Sequence, residues 1–98
     1  MAFLSTSLAD LARLRTGVRR RRISSYDTTG GNADYWQVKP GEKKTIAEMD
    51  GPGVITHIWM TMDSGDKHLL RRSVLRMFWD DEATPCVEAP IGDFFGMG

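Results

Sequence analysis

Residues 24–36 read Ser24-Ser25-Tyr26-Asp27-Thr28-Thr29-Gly30-Gly31-Asn32-Ala33-Asp34-Tyr35-Trp36. They gather hydroxyls, two carboxylates, an amide and aromatic rings around a flexible Gly-Gly. This is the chemistry of a carbohydrate pocket. A carboxylate accepts hydroxyl hydrogen bonds in a charge-assisted way, and an aromatic face covers the apolar C–H face of a sugar ring. Asp27, Asn32, Asp34 and Trp36 are the candidate ligand contacts. A second group, Gly92-Asp93-Phe94-Phe95-Gly96, places a carboxylate beside aromatic rings, between glycines that permit close backbone approach to a ligand or to another strand. Asp93 and Phe94 are the candidates there.

Each candidate has a plainer reading. Asp, Asn and Gly are the ordinary turn formers, so Asp27, Asn32 and Asp34 can serve a turn as well as a ligand. Asp93 can cap its own loop. Asp27 and Asp34 could also form a catalytic pair, which in a retaining glycosidase stands about 5–5.5 Å apart. Aromatic residues beside strands are most often core; that is the expectation for whichever of Tyr35 and Trp36 points inward, and for Trp59 and Trp79.

The remaining reactive residues offer less. His57 and His68 sit on different elements and are too few to hold a metal. Cys86 is the single cysteine, so no intramolecular disulfide forms, and no motif makes it a nucleophile beside a histidine. Asp80-Asp81-Glu82 lacks the alternating ligands of a calcium loop and reads as a solvated turn. No metal or cofactor is expected.

The elements that must position these groups follow from periodicity and punctuation. Residues 5–15 read as a short helix, with Leu8, Leu11, Ala12 and Leu14 on one face. Residues 35–38 and 43–49 are candidate strands separated by Lys39-Pro40-Gly41, a turn signal. Residues 54–62 carry the strongest strand pattern, β-branched and apolar on both faces. A helical turn is expected near Leu70, a strand over residues 73–79, a turn over 80–85 and a last short strand over 86–89. Short strands with frequent turns point to a mainly β fold, a partial β-sandwich preceded by a short N-terminal helix. Residues 1–22 form a helix and basic linker; residues 23–98 form the sandwich portion.

Composition bounds the function class. The chain has 98 residues, 41% apolar and 27% charged, with zero formal net charge. A chain this short buries only about 60–65% of its unfolded surface, so one modest core is the limit. The charge is uneven: residues 1–22 hold six Arg against one Asp, and the rest is acidic. Arg19 to Arg22 could neutralise phosphates, but no aromatics are interleaved with them, and a solvated linker is the preferred reading; nucleic acid is not the expected partner. No run of about 18 apolar residues suggests a membrane span. The N-terminus lacks the pattern of a signal peptide, and a cytoplasmic setting is mildly favoured.

Four segments resemble one family in order: Arg22-Ile23-Ser24-Ser25-Tyr26-Asp27 with Thr29-Gly30-Gly31-Asn32 and Asp34-Tyr35-Trp36; Gly51-Pro52-Gly53-Val54-Ile55-Thr56-His57-Ile58-Trp59; Leu75-Arg76-Met77-Phe78-Trp79-Asp80; and Gly92-Asp93-Phe94-Phe95-Gly96. Together they resemble glycoside hydrolase family 172, earlier catalogued as domain of unknown function 2961, over roughly residues 8–98. The resemblance implies a jelly-roll β-sandwich in a longer chain, assembled as trimers or larger homo-oligomers. It implies a furanoside substrate, with arabinofuranose or fructofuranose linkages, cleaved by a retaining mechanism. It places the two catalytic glutamates downstream of Gly96, so this chain is expected to be an N-terminal fragment that supplies sugar-binding residues. Thr28 stands where many members have Arg, which alters the charge beside the pocket. A non-catalytic interaction or carbohydrate-binding module is the alternative.

Overall fold

A computed structural model describes residues 8, 12–14 and 16–97. The chain divides into two compact units, Met1–Ile58 and Trp59–Gly98. The helix expected over residues 5–15 falls largely outside the described residues; its described positions 12–14 carry no helix.

In the first unit the described residues form turns and extended segments without an α-helix or a sheet ladder, Leu8 being in a 3-10 conformation. The Pro-Gly signal acts as expected: the Glu42 N–H donates to the Lys39 carbonyl at 2.9 Å, with Gly41 at φ 78°. Proline pre-sets the first central position of such a turn, and the positive φ of the second suits glycine. The strands expected over residues 35–38, 43–49 and 54–62 do not form. Residues 54–62 have strand propensity but no ladder partner. Propensity in a sheet is mostly a matter of fitting cross-strand neighbours, and a lone strand leaves its N–H and C=O groups to water. Ile46 and Ile58 are half-buried, while Tyr35 and Trp36 are both exposed, contrary to a core role for either.

The second unit carries the regular structure: α1 (Leu69–Arg72), β1 (Val74–Met77), β2 (Val87–Pro90) and α2 (Ile91–Phe94). The strands pair antiparallel in the register Val74↔Pro90, Leu75↔Ala89, Arg76↔Glu88 and Met77↔Val87. Period-two alternation puts Leu75, Met77, Val87 and Ala89 on one face. Leu75 is the buried apolar side chain among the described residues, and the other three are half-buried. On the opposite face Arg76 Nε donates to Glu88 Oε2 at 2.7 Å, joining two residues directly across the ladder. The strands thus lie within one or two residues of their expected positions, and α1 supplies the expected helical turn. Among the described residues the architecture is a two-stranded sheet with two helical turns, less β than a mainly β sandwich. Trp59, expected in the core, is 73% exposed, and Trp79 is exposed as well. Both lie outside the ladder that would have turned one face inward.

Helix ends explain the local sequence. Asp66 opens α1: its Oδ1 accepts the His68 N–H at 2.8 Å, its carbonyl accepts the Leu69 N–H, and its Oδ2 accepts Arg72 Nη1 at 3.1 Å. The His68 N–H first, and then Arg72, hold the Asp66 carboxyl below its ordinary value. Arg71 and Arg72 sit in the last turn, where the helix dipole favours cations. Helix α2 closes through a Schellman arrangement. The Met97 N–H donates to Gly92 O at 2.7 Å and the Gly96 N–H to Asp93 O at 3.1 Å, with Gly96 at φ 72°. Gly92 is buried against α1: a Cβ there would stand 3.1 Å from Leu70 Cβ and 3.3 Å from the Leu70 carbonyl. The two glycines of Gly92-Asp93-Phe94-Phe95-Gly96 therefore have different tasks. One admits α1, and the other reverses the chain.

Candidate functional site

In the first unit the loop of residues 24–36 is organised around Asp27. Its Oδ1 accepts the Thr29 N–H at 2.9 Å and the Thr29 hydroxyl at 2.6 Å, and its Oδ2 accepts the Ala33 N–H at 3.2 Å. Its carbonyl takes the Gly30 N–H at 3.2 Å. Its own N–H donates to Asp34 Oδ1 at 2.7 Å, while the Ser25 hydroxyl donates to the Asp34 carbonyl at 3.2 Å. The loop closes because two carboxylates seven positions apart each accept backbone donors.

Neighbouring residues make room for this closure. A Cβ on Gly31 would lie 2.8 Å from Asp27 Oδ2, so only glycine lets the carboxylate settle against the chain. Asn32 holds the left-handed conformation at φ 63°, which Asn tolerates better than most residues. The Thr29 hydroxyl first, then the Thr29 and Ala33 amides, hold the Asp27 carboxyl below its ordinary value. Each donor favours the ionised form.

The structure brings Asp27 and Asp34 together, with Asn32 in the same turn. Both oxygens of Asp27 are engaged by loop donors, as its turn role requires. As a catalytic pair the two have their nearest bonds to the loop itself. Arg22 makes no ion pair with either carboxylate; the bonds to them come from residues within the loop. Trp36 is 41% exposed, and Lys44 Nζ stands 5.6 Å from its ring centroid in a cation–π contact.

In the second unit Asp93 lies in the first turn of α2 and Phe94 is half-buried beside it. Phe94 meets Phe95 edge-to-face at 5.0 Å. The Asp93 side chain does not cap its own backbone. Both its oxygens bind Arg71 Nη1, at 3.1 and 2.9 Å. This pair borders a depression of about 360 Å³ that is also lined by Lys67, His68, Leu70 and Met97. It is open to solvent, with the Arg71 side chain 69% and the Asp93 side chain 40% exposed.

Sequence reasoning missed Thr29, Arg71 and Lys44. Thr29 had a local signal, since Asp-x-Thr places a hydroxyl and an N–H where an aspartate two residues earlier can accept both. Arg71 had none, because it reaches Asp93 from 22 residues away through the sheet. Among the described residues no three His, Cys, Asp or Glu side chains gather into a group that could hold a metal ion. No described helix is long and apolar enough to cross a membrane.

No curated protein and no solved structure matches the chain. A family model described as GH172 domain-like matches residues 30–98, more than half of the chain. The matched span includes Asn32, Asp34, Trp36, Asp93 and Phe94, and begins just after Asp27. On that match the chain belongs to the GH172 family, and its relationship is to the glycoside hydrolases.

Proposed function

We propose that these residues form the substrate-binding front of a furanoside-acting glycoside hydrolase, specific for arabinofuranose or fructofuranose linkages, with the two catalytic glutamates outside this chain. The observation that carries the reading is the Asp93 carboxylate: it lies in the family-matched span and borders the Arg71 depression with part of its surface open. Asp93 and Phe94 bind sugar in the second unit. Asn32, Asp34 and Trp36 bind it in the first, on a loop that Asp27 holds closed and to which Asp27 adds its own acceptor oxygens. The reading includes the jelly-roll sandwich and the trimeric or larger homo-oligomer that the resemblance implies. Trp59, Phe78 and Trp79, exposed here, are side chains that such packing would cover.

The test has two arms on the purified 98-residue chain. Incubation with aryl arabinofuranoside and aryl fructofuranoside should give no release above buffer; turnover would place catalysis inside these residues. Titration with methyl furanosides should give saturable shifts in the amide spectrum, and their absence would end the binding role.

The second reading is a non-catalytic interaction module. The exposed aromatic and aliphatic side chains favour it, because large apolar patches mark association surfaces. Gel filtration decides: concentration-dependent self-association without sugar binding selects this reading, and a monomer that binds furanosides rejects it.

A further inference from the structure

We propose that Arg71 and Asp93 act as one recognition unit for a vicinal diol on a sugar ring, which makes Arg71 a ligand-binding residue in its own right. The inference rests on the furanoside reading above and assigns its contacts in the second unit. A guanidinium has five N–H donors, and a carboxylate has about four acceptor positions. Arg71 Nη1 reaches both Asp93 oxygens at 3.1 and 2.9 Å. Among the described residues, the donors on Arg71 Nε and Nη2 make no other hydrogen bond, and each Asp93 oxygen keeps a free acceptor position.

Donors and acceptors therefore stand side by side in a fixed order. A sugar hydroxyl both donates and accepts. Two hydroxyls on neighbouring ring carbons can satisfy the pair together, one donating to Asp93 and the other accepting from Arg71. The pair is neutral as a unit, but Lys67 beside it leaves the depression with a net positive charge, so a simple cation is disfavoured and an anion such as phosphate is the competing ligand. Leu70 and Met97, both exposed, line the same depression and offer apolar surface to the ring C–H groups. Lys67 and His68 add polar groups beside them.

The unit is also preorganised. Gly92 seats α2 against Leu70 of α1, and the Schellman bonds fix the end of α2. The backbone is thus ordered before binding, and the ordering that remains to oppose it is that of the exposed Arg71 side chain.

The experiment follows the amide and arginine Nε–H resonances of the 98-residue chain. The probes are methyl arabinofuranoside, its 2-deoxy analogue and inorganic phosphate. The expected result is a saturable shift at the Arg71 Nε–H and at the Gly92 and Asp93 amides with the arabinofuranoside. Affinity should fall about tenfold for the 2-deoxy analogue and about tenfold for Arg71→Gln, the loss of hydrogen bonds to charged groups. Arg71→Lys keeps the charge but not the fork, and should recover less than half of that loss. The wild-type arginine resonance needs no variant, so a poorly folding substitution does not blunt the test.

Three outcomes overturn the inference. Shifts confined to residues 24–36 remove it and leave furanoside binding to Asn32, Asp34 and Trp36 alone. Phosphate shifting the Arg71 resonance where the sugar does not makes this an anion site instead. No saturable shift anywhere removes both readings.

Discussion

The loop of residues 24–36 and the α1–β1–β2–α2 unit both depend on an aspartate, but they use it in opposite ways. Asp27 accepts from Thr29 and Ala33, and the loop closes on donors a few residues away. Asp93 accepts from Arg71, 22 residues distant, with the β1–β2 ladder between them in the chain. The first arrangement depends on local chain geometry. The second depends on packing: Gly92 against Leu70, and Leu75 on the inner face of the sheet. Asp27, with donors from its own loop on both oxygens, acts chiefly as a strut and keeps little acceptor capacity for a ligand, whereas Asp93, at the edge of a depression, keeps more.

The largest effect should come from disturbing the packed unit. Gly92→Val adds branched bulk where a single Cβ already stands 3.1 Å from Leu70 Cβ and 3.3 Å from its backbone oxygen. Overpacking of this kind costs about 1–3 kcal/mol. Amide exchange at Cys86 and Met97, which bond to Met77 O and Gly92 O, should accelerate. The loop of residues 24–36, whose bonds close within it, should keep its exchange pattern. A Gly92→Val chain that retains slow exchange at Met97 would mean that α1 and α2 do not meet as described.

Next in size is Asp27→Ala. It removes the acceptor for the Thr29 N–H, the Thr29 hydroxyl and the Ala33 N–H together. Exchange protection at the Thr29 and Ala33 amides should be lost, while the β1–β2 amides keep theirs. Asp27→Asn keeps one oxygen acceptor, so Thr29 should retain more protection than Ala33. Equal loss at both positions would show that the loop needs the charge rather than the geometry.

This contrast accounts for what the sequence revealed. Asp27, Gly30, Gly31 and Asn32 were legible as a turn because their interactions span only a few residues. Lys39-Pro40-Gly41 was legible for the same reason. The segments of β1 and β2 were legible as short stretches of strand-forming residues set off by turn signals, the second lying between Pro85 and Pro90. The strand expected over residues 54–62 shows the limit: alternation reports a capacity to pair, and no partner ladder meets it here. Trp59 was placed in the core on that strand, and without the ladder it stays exposed. Arg71 was invisible because nothing around it in the sequence specifies Asp93.

Acid sharpens the comparison with a smaller effect. Asp27 and Asp66 are both held below the ordinary carboxylate value of 3.8 by donors that favour the ionised form. A carboxyl with a depressed folded value adds stability that is fully present above its unfolded value and is lost as pH falls through the folded one. The contribution should therefore be constant from neutrality down to about pH 5, and then fade below 3.8. Following the side-chain carboxyl resonances, both midpoints should fall below 3.8, with Thr29 amide exchange rising in step with Asp27. A midpoint for Asp27 at or above 3.8 would mean that the Thr29 and Ala33 donors do not engage it in solution.

The smallest effect concerns the turn between the two strands, where the packed unit is itself governed locally. The Glu82 N–H donates to the Trp79 carbonyl at 3.0 Å, with Asp80 at φ 52° and Asp81 at φ 56°. Two successive positive φ values mark a type I′ turn within the connection of residues 78–86, and its second central position favours glycine. An L-residue in this conformation is strained by roughly 1–2 kcal/mol, less for Asp, which tolerates it. Glycine removes that strain but brings back about 0.5–1 kcal/mol of chain entropy in the unfolded state. Asp81→Gly should therefore raise stability by no more than a few tenths of a kcal/mol, the difference between these two opposing terms. A denaturant midpoint that rises slightly, with unchanged slope, checks it. A clear fall would mean that the Asp81 carboxylate makes a contact stronger than the strain it bears. The turn would then join Asp27 as a site where a side chain, rather than the backbone alone, fixes the path of the chain.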